Sequence, residues 1–264
     1  NFIFKKIDIT NKKTLNSFFK NKKIDIIIHL AAQAGVRYSL KYPNKYLDVN
    51  IVGFLNIIKA IKNKKVKKFI YASSSSVYGD SNKFPLKENY VLNPKNIYGE
   101  TKKINEQIAR QYSKIYKTNF VGLRFFTIYG EWGRPDMFML KLFKAFKLKK
   151  IFYLNNFGNH LRDFTYIGDV VTIVDRLIKK KLNKNEIFNI CSNNPINIYK
   201  IIKKFKRNNS LRLRLIKLHK ADVLKTHGDN LKTKKILAFK KYSNFDEKFN
   251  QTFNWYLKNK IYNL

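Results

Sequence analysis

The chain has 264 residues, of which 44% are hydrophobic and 15% aromatic, so it can bury a globular core and is not a disordered segment. Its net charge of +38 would suggest a nucleic-acid partner. The lysines are spread along the whole chain, however, together with other residues that have AT-rich codons, so genome composition explains the charge. No specific nucleic acid is therefore expected. No apolar run approaches the ~18 residues that span a bilayer, and the single Cys191 excludes an internal disulfide and fits the cytoplasm.

Strand and helix patterns alternate along the chain, which predicts a parallel sheet covered by helices on both faces. In chain order we predict a strand over 24–30, a helix over 43–61, a strand over 68–72, a helix around Tyr98 and a strand over 119–125. After Gly130 a helix over 137–147 and a short strand over 151–154 follow. We expect residues 166–178 and 187–190 to return to the sheet, and helices near 198–205, 231–237 and 245–256 to complete a C-terminal lobe.

The residues that carry chemistry follow the strand over 68–72. Four serines, Ser73 to Ser76, end that strand, and Tyr98 and Lys102 follow one helical turn apart on one helix face. A lysine ammonium lowers the pKa of a nearby phenol from ~10, so a tyrosine can take a proton from an alcohol near neutral pH. An isolated Tyr-x-x-x-Lys is usually solvated helix surface. The four serines upstream of this pair favour a functional interpretation, namely a site for alcohol oxidation with a nicotinamide cofactor.

Six segments resemble the extended short-chain dehydrogenase/reductase family, and within it the nucleotide-sugar epimerases that act on UDP-glucuronate. They are HLAAQAGVRYS (29–39), NIVGFLNII (50–58), YASSSSVYG (71–79), YGETK (98–102), LRFFTIYGEWGRPDM (123–137) and RDFTYIGDVV (162–171). Their order and spacing follow the family over residues 1 to 190. The resemblance implies an α/β fold, with a Rossmann-like doubly wound parallel sheet, a smaller C-terminal substrate-binding lobe, and NAD as cofactor. A homodimer stays open.

The Gly-x-x-Gly-x-x-Gly turn that seats the cofactor pyrophosphate in this family does not occur in the printed sequence, nor does the ribose-binding acid after it. These features occupy roughly 50 residues, so we expect an N-terminally truncated copy that binds NAD weakly. Residues 2–10 resemble the third strand of the family. The expected domains are a truncated NAD-binding domain over 1–129, to which 163–190 return, and a substrate-binding lobe over 130–162 and 191–264.

The resemblance implies roles for particular residues. Tyr98 is the catalytic base, Lys102 is its electrostatic partner, and Ser74 contacts the sugar 4-hydroxyl, assisted by Ser75 or Ser76. The residues expected to bind the cofactor are Asp8, Ile9, Leu30, Ala31, Ala32, Asn50, Tyr98, Lys102 and Phe126. No metal site is predicted.

Three arginines and a threonine are expected to bind the substrate. Arg162 matches the family arginine that holds the nucleotide diphosphate, and Thr127 reaches the sugar ring unless it is only a capping hydroxyl. Arginine is rare beside lysine here, and its planar fork suits carboxylates. Arg134 is therefore expected to bind the glucuronate carboxylate, with Arg37 as second candidate. The alternative for Arg134 is a loop ion pair with Asp136.

The expected activity is inversion of carbon 4 of UDP-glucuronate to UDP-galacturonate through a transient 4-keto sugar. Related dehydratases and decarboxylases place an acidic residue after the catalytic hydroxyl, where this chain has Ser75 and Ser76, so both are disfavoured. A UDP-glucose 4-epimerase remains the enzymatic alternative, since the same scaffold serves it. A non-catalytic truncated remnant is the alternative of a different class.

Overall fold

The computed structural model describes residues 2–182, 185–219 and 221–259. Its strands are β1 (Ile26–His29), β2 (Lys68–Ser74), β3 (Asn119–Phe125), β4 (Thr127–Tyr129), β5 (Phe152–Asn155), β6 (Leu161–Tyr166), β7 (Glu186–Ile190), β8 (Pro195–Asn197) and β9 (Leu213–Ile216). Its helices are α1 (Lys12–Phe19), α2 (Val36–Lys41), α3 (Pro43–Tyr46), α4 (Phe54–Ala60), α5 (Ile97–Tyr116), α6 (Phe138–Lys147), α7 (Ile167–Lys179), α8 (Ile198–Asn208), α9 (Leu231–Leu237) and α10 (Phe245–Lys258).

The chain forms two compact units. The first comprises Asn1–Ser81, Glu88–Arg124 and Lys180–Phe188, and the second comprises Asn82–Lys87, Phe125–Lys179 and Asn189–Leu264. These limits differ from the predicted domains, in which the first continued to residue 129 and regained 163–190. Residues 163–179 belong to the second unit because β6 pairs with β4 and β8, and α7 packs on β6.

A four-stranded sheet in the order β1-β2-β3-β7 forms the centre of the first unit. β1 and β2 are parallel, with Ile26 opposite Lys68. The apolar residues of β2 are buried, as expected for an inner strand covered on both faces. Phe54, Phe69 and Phe120 pack together in its core.

The predicted helix over 43–61 is divided into three stretches. A π-helical segment, Leu47–Gly53, separates α3 from α4. Wide π-helical turns are rare and cluster at functional sites, and this one contains the buried Asn50. Gly53 ends the segment, and a Cβ there would lie 2.7 Å from Ile9 Cδ1, so the side chain of Ile9 packs directly on this glycine and would have to move for a larger residue.

Residues 166–178 were expected to return to the main sheet, and this expectation is wrong, since Tyr166 ends β6 of a separate sheet and the residues after it are helical. They form α7, because Val170, Ile173 and Leu177 recur at helical spacing and are buried on one face. The expectation for 187–190 is confirmed, since these residues lie in β7 of the main sheet.

Residues 2–7, which resemble a family strand, have no regular structure, and Phe2, Ile3 and Phe4 are exposed. A strand requires a neighbour for its backbone hydrogen bonds, and among the described residues β1 pairs only with β2.

The second unit contains a three-stranded sheet, β4-β6-β8, and a parallel pair, β5 and β9. Its core is rich in aromatic residues from α6, α8 and α10, including Phe143, Phe205 and Phe249. Among the described residues, no helix is long and apolar enough to cross a bilayer.

Candidate active site

The helix α5 begins directly against the end of β2. Asn96 caps it by accepting a hydrogen bond from Gly99 N at 2.9 Å. A Cβ at Gly99 would lie 2.6 Å from the carbonyl oxygen of Ser76, so only glycine allows this approach. The contact sets the first turn of α5, which carries Tyr98, beside the segment Ser73 to Tyr78, which we call the serine segment.

Lys102 is a buried cation next to the phenol of Tyr98. Lys102 is only 2% exposed, and its Nζ donates a 2.9 Å hydrogen bond to Ala72 O on β2. Burial lowers the pKa of Lys102 to about 8. Nζ lies 6.0 Å from the ring centroid of Tyr98, which is half-buried against Tyr46. The predicted pair is thus brought together, with the lysine inside the protein rather than on a solvated helix face.

Ser74 caps a short 3-10 turn formed by Ser75 to Val77. Its Oγ accepts a 3.1 Å hydrogen bond from Ser76 N, and its own O–H remains a donor. Ser75 and Ser76 are partly buried. All three predicted serines therefore lie at the carboxyl end of β2, the end from which parallel sheets present ligand-binding residues.

Asn50 connects the loop after β1 to α5. Its side-chain oxygen accepts from Gln33 N at 2.8 Å, and its amide donates to Gln33 O and to Thr101 Oγ1, each at 3.0 Å. This fixes the loop that contains the predicted residues Leu30, Ala31 and Ala32. Leu30 and Ala31 are exposed and Ala32 is partly buried, so the small side chains leave the backbone accessible.

His29 packs against Phe54 and Phe69 close enough to Lys102 to feel its charge, and it was not among the predicted residues. It ends β1 immediately before Leu30, is buried, and has its pKa lowered to about 4 by burial and by the positive charge of Lys102. It is therefore neutral at physiological pH. Its position as the last residue of a strand of the main sheet was the available signal.

Asp8 and Ile9 lie before α1. The Asp8 carboxylate accepts from Thr10 N and Thr10 Oγ1 at 2.8 and 2.9 Å, which lowers its pKa. Asn56 Nδ2 donates to Ile9 O and holds this segment on α4. Arg37 is exposed on α2. None of these contacts tests the predicted roles, which stay predictions.

The residues of the first unit fit one end of NAD. An ammonium has three N–H donors, and Lys102 directs one of them to Ala72 O. The phenol of Tyr98 lies beside this ammonium. Together with the hydroxyl of Ser74, these groups are suited to a ribose and a nicotinamide. The backbone donors of a glycine-rich turn, which a pyrophosphate needs, do not occur in the printed sequence.

In the second unit, Phe126 and Thr127 lie at the start of β4. Phe126 is buried and its N–H donates to Ile190 O at 3.1 Å. Thr127 is partly buried and pairs with Phe164 of β6.

Arg134 forms a bidentate ion pair with Asp136. The Nε–Oδ1 distance is 3.0 Å and the Nη2–Oδ2 distance is 2.5 Å, with both side chains about half exposed. The alternative interpretation from the sequence is therefore present in the structure. A substrate carboxylate has to share or replace Asp136 on this guanidinium.

Arg162 is bound by backbone carbonyls. It donates to Leu161 O at 2.9 Å, Leu224 O at 3.0 Å and Val223 O at 2.7 Å. Burial lowers its pKa to about 10, while Asp222 opposes the shift. Carbonyl dipoles do not neutralise a full charge, so this partly buried cation is suited to an anion such as a diphosphate.

Asp163, the next residue, was not predicted. Its buried carboxylate accepts hydrogen bonds from the backbone N–H groups of Ser192, Asn193 and Gly228 at 2.9 to 3.1 Å. Burial outweighs these donors and raises its pKa to about 6. Asp163 joins two loops of the second unit, a role that no local pattern indicates.

Comparison with known proteins identifies the family to which this chain is similar. The model of the NAD dependent epimerase/dehydratase family matches residues 2–191. A UDP-glucuronate 4-epimerase of Thermodesulfobacterium geofontis is 38% identical over 265 residues, which are 98% of this chain and 80% of that protein.

Two solved structures are similar over almost the whole chain. The UDP-glucuronic acid 4-epimerase of Bacillus cereus, in complex with UDP-glucuronic acid and NAD, has a TM-score of 0.89 and 29% identity, covering 96% of this chain and 80% of that one. The UDP-glucose 4-epimerase of Thermotoga maritima, with UDP-glucose, has a TM-score of 0.92 and 25% identity, covering 98% and 85%. These likenesses confirm the predicted Rossmann-like α/β fold.

Proposed function

Because the chain belongs to the NAD-dependent epimerase/dehydratase family, we propose that it inverts carbon 4 of UDP-glucuronate and yields UDP-galacturonate. The broader activity is that of an NAD-dependent UDP-sugar 4-epimerase. The observation that carries the proposal is the buried Lys102 ammonium, held on Ala72 O beside Tyr98 and the serine segment. We also propose a cytoplasmic location and a homodimer.

NAD, when bound, supplies the acceptor that takes hydride from carbon 4 and gives it back. The Tyr98 phenolate takes the proton of the 4-hydroxyl and, as the phenol, returns it, a task that contributes ~10²–10⁴-fold in enzymes. Lys102 favours the phenolate by its charge, and the Ser74 hydroxyl orients the sugar oxygen. We propose that Asn50 and the loop with Leu30 contact the cofactor in the first unit, and Phe126 is proposed for the same role.

The substrate is proposed from the arginines. Arg162 would hold the diphosphate, since it is a partly buried cation whose hydrogen bonds in the described part of the chain go to backbone carbonyls. Arg134, with a planar fork already set in a bidentate pair, would hold the glucuronate carboxylate, with Thr127 on the sugar ring. One observation favours the second candidate, a UDP-glucose 4-epimerase: a neutral sugar leaves the Arg134–Asp136 pair intact.

Product formation from UDP-glucuronate and UDP-glucose tests the proposal, with excess NAD and chromatographic separation of the epimers. We expect UDP-galacturonate from the first and little conversion of the second. Tyr98→Phe removes the proton acceptor and should lower turnover by at least ~10²-fold. Conversion of UDP-glucose alone would assign the second candidate, and full activity of the phenylalanine variant would remove Tyr98 from its role.

A further inference from the structure

The first unit contains a buried ion pair that the proposed chemistry does not use. Arg124 on β3 donates to both carboxylate oxygens of Glu106 on α5, from Nε at 2.9 Å and from Nη2 at 2.8 Å. The two side chains are 4% and 9% exposed. Desolvating two charges is costly and is repaid only by close geometry and further hydrogen bonds. The pair therefore requires an explanation beyond solubility or surface charge.

The further hydrogen bonds of the pair go to the two ends of the serine segment. Ser73 Oγ donates to Glu106 Oε1 at 2.5 Å, and Arg124 Nη1 donates to Tyr78 Oη at 2.8 Å. The guanidinium also lies 4.8 Å from the centroid of the Tyr78 ring and donates to Glu88 O. One ion pair thus holds the residue before Ser74 and the residue after Val77.

The same pair acts on the helix that carries the base. Tyr98, Lys102 and Glu106 follow one another at four-residue intervals, so they share one face of α5. Lys102 binds Ala72 O and Glu106 binds Ser73 Oγ, which are consecutive residues of β2. Two successive turns of α5 are therefore fastened to the end of the strand that presents Ser74.

We propose that Glu106 and Arg124 are positioning residues that clamp both ends of the serine segment and hold it in register with Tyr98. This inference rests on the proposed function, because it assumes that Ser74 and Tyr98 meet the sugar 4-hydroxyl. A misplacement of about 1 Å can cost ~10²-fold in rate without changing which groups bind. The clamp therefore acts on kcat rather than on substrate affinity.

Two conservative variants cut the clamp and leave the ion pair in place. Ser73→Ala removes the link to Glu106, and Tyr78→Phe removes the link to Arg124. We expect each to lower kcat by ~10-fold and to leave KM for the UDP-sugar within about threefold, because only positioning is lost.

A matched control lies at the opposite end of the same two strands. Thr118 is buried just before β3, and its Oγ1 donates to Val66 O, just before β2, at 2.9 Å. Thr118→Val removes a buried hydrogen bond of the same unit far along the strands from the serine segment. It should lower thermal stability and leave kcat unchanged. An equal fall of kcat in this control would overturn the inference, because loss of stability alone would then explain the variants.

Chemical rescue gives a second readout. A cavity of about 470 Å³ borders Glu106 and Arg124. In Glu106→Ala, added acetate can enter from this cavity and bind the guanidinium, so we expect acetate to restore kcat and chloride not to. Absence of rescue in folded Glu106→Ala contradicts the clamp.

If that variant does not fold, Ser73→Ala and Tyr78→Phe decide. Wild-type protein that converts neither UDP-sugar refutes the proposed function, whereas active wild-type with unaffected Ser73 and Tyr78 variants refutes the clamp alone.

Discussion

At the scale of single residues, burial determines the chemistry of the first unit. Lys102 and His29 are both 6% exposed or less, and burial lowers the pKa of each. The pKa of Lys102 falls from 10.5 to about 8, whereas the pKa of His29 falls from 6.5 to about 4. At neutral pH the lysine is still mainly a cation and the histidine is neutral. The phenol of Tyr98 therefore has one positive neighbour of defined position.

The pKa of His29 predicts how stability changes with pH. The unfolded chain binds a proton near pH 6.5 and the folded protein only near pH 4, so acidification between these values favours unfolding. The full effect is about 3 kcal/mol, at ~1.4 kcal/mol for each pKa unit. Urea unfolding from neutral to acidic pH should show this loss in the wild type and a flatter curve in His29→Gln. Parallel curves would mean that His29 is protonated in the folded state.

Arg134 can be tested through its own ion pair. Arg134→Lys keeps the charge and loses the planar fork, so KM for UDP-glucuronate should rise ~10-fold and KM for UDP-glucose should not change. A loosely held 4-keto acid also loses carbon dioxide, so some UDP-pentose should form, detected by mass spectrometry. Asp136→Asn provides the matched variant. It removes the competing carboxylate and should lower KM for UDP-glucuronate. If neither variant changes KM, the carboxylate is bound elsewhere, with Arg37 tested next.

At the scale of elements, the site depends on how closely α5 approaches the serine segment. Its first turn touches Ser76 O through Gly99, and its next two turns are fastened to β2 by Lys102 and Glu106. The π-helical segment adds Asn50, which bonds the loop after β1 to Thr101 of the same helix. The serine segment, the π-helical segment and the loop after β1 are thus held in place by α5, the loop through Asn50.

Gly99→Ala tests this approach. An alanine usually stabilises a helix by about 1 kcal/mol relative to glycine. Here the new Cβ would lie 2.6 Å from a backbone oxygen that cannot move freely, so the first turn of α5 has to shift. We expect kcat to fall by ~10²-fold, measured as epimer formation. Glu100→Ala, at the exposed neighbouring position, is the control and should retain activity. Unchanged kcat in Gly99→Ala would show that the position of this turn is not critical.

At the scale of the whole molecule, the net charge of +38 is the dominant property. Such a charge raises the local concentration of anions around the protein, including nucleotide sugars. It does not select among them, because diffuse charge has no directed donors. We propose that Arg162 and Arg134 make this selection, since their guanidinium groups are held in place by hydrogen bonds to Val223 O and to Asp136.

This division predicts the salt dependence of the reaction. Raising ionic strength from ~0.1 M to ~1 M shortens the screening length from ~10 Å to ~3 Å. KM for the UDP-sugar should rise ~3–10-fold, because attraction by remote lysines is lost, while kcat should stay constant. Initial rates across a salt series measure both. A constant KM would mean that contacts within the site account for all of the binding.

Much of the local structure, including the placement of Tyr98 and Lys102, was predictable from the sequence. The strand over 119–125 was predicted at its observed bounds, and the helix over 231–237 likewise. Tyr98 and Lys102 were predicted on one helix face after the serines, and they are. These features depend on residues within one or two turns of each other, so the periodicity of side chains is enough to reveal them.

Other features were decided only by the tertiary structure. The burial of Lys102, the neutral state of His29 and the carboxylate of Asp163 between two loops depend on distant chain segments. Glu106 and Arg124 are 18 positions apart, and only the order of strands and helices brings them together. A sequence pattern indicates which face of an element is apolar, whereas the partner of a buried charge follows from which elements become neighbours.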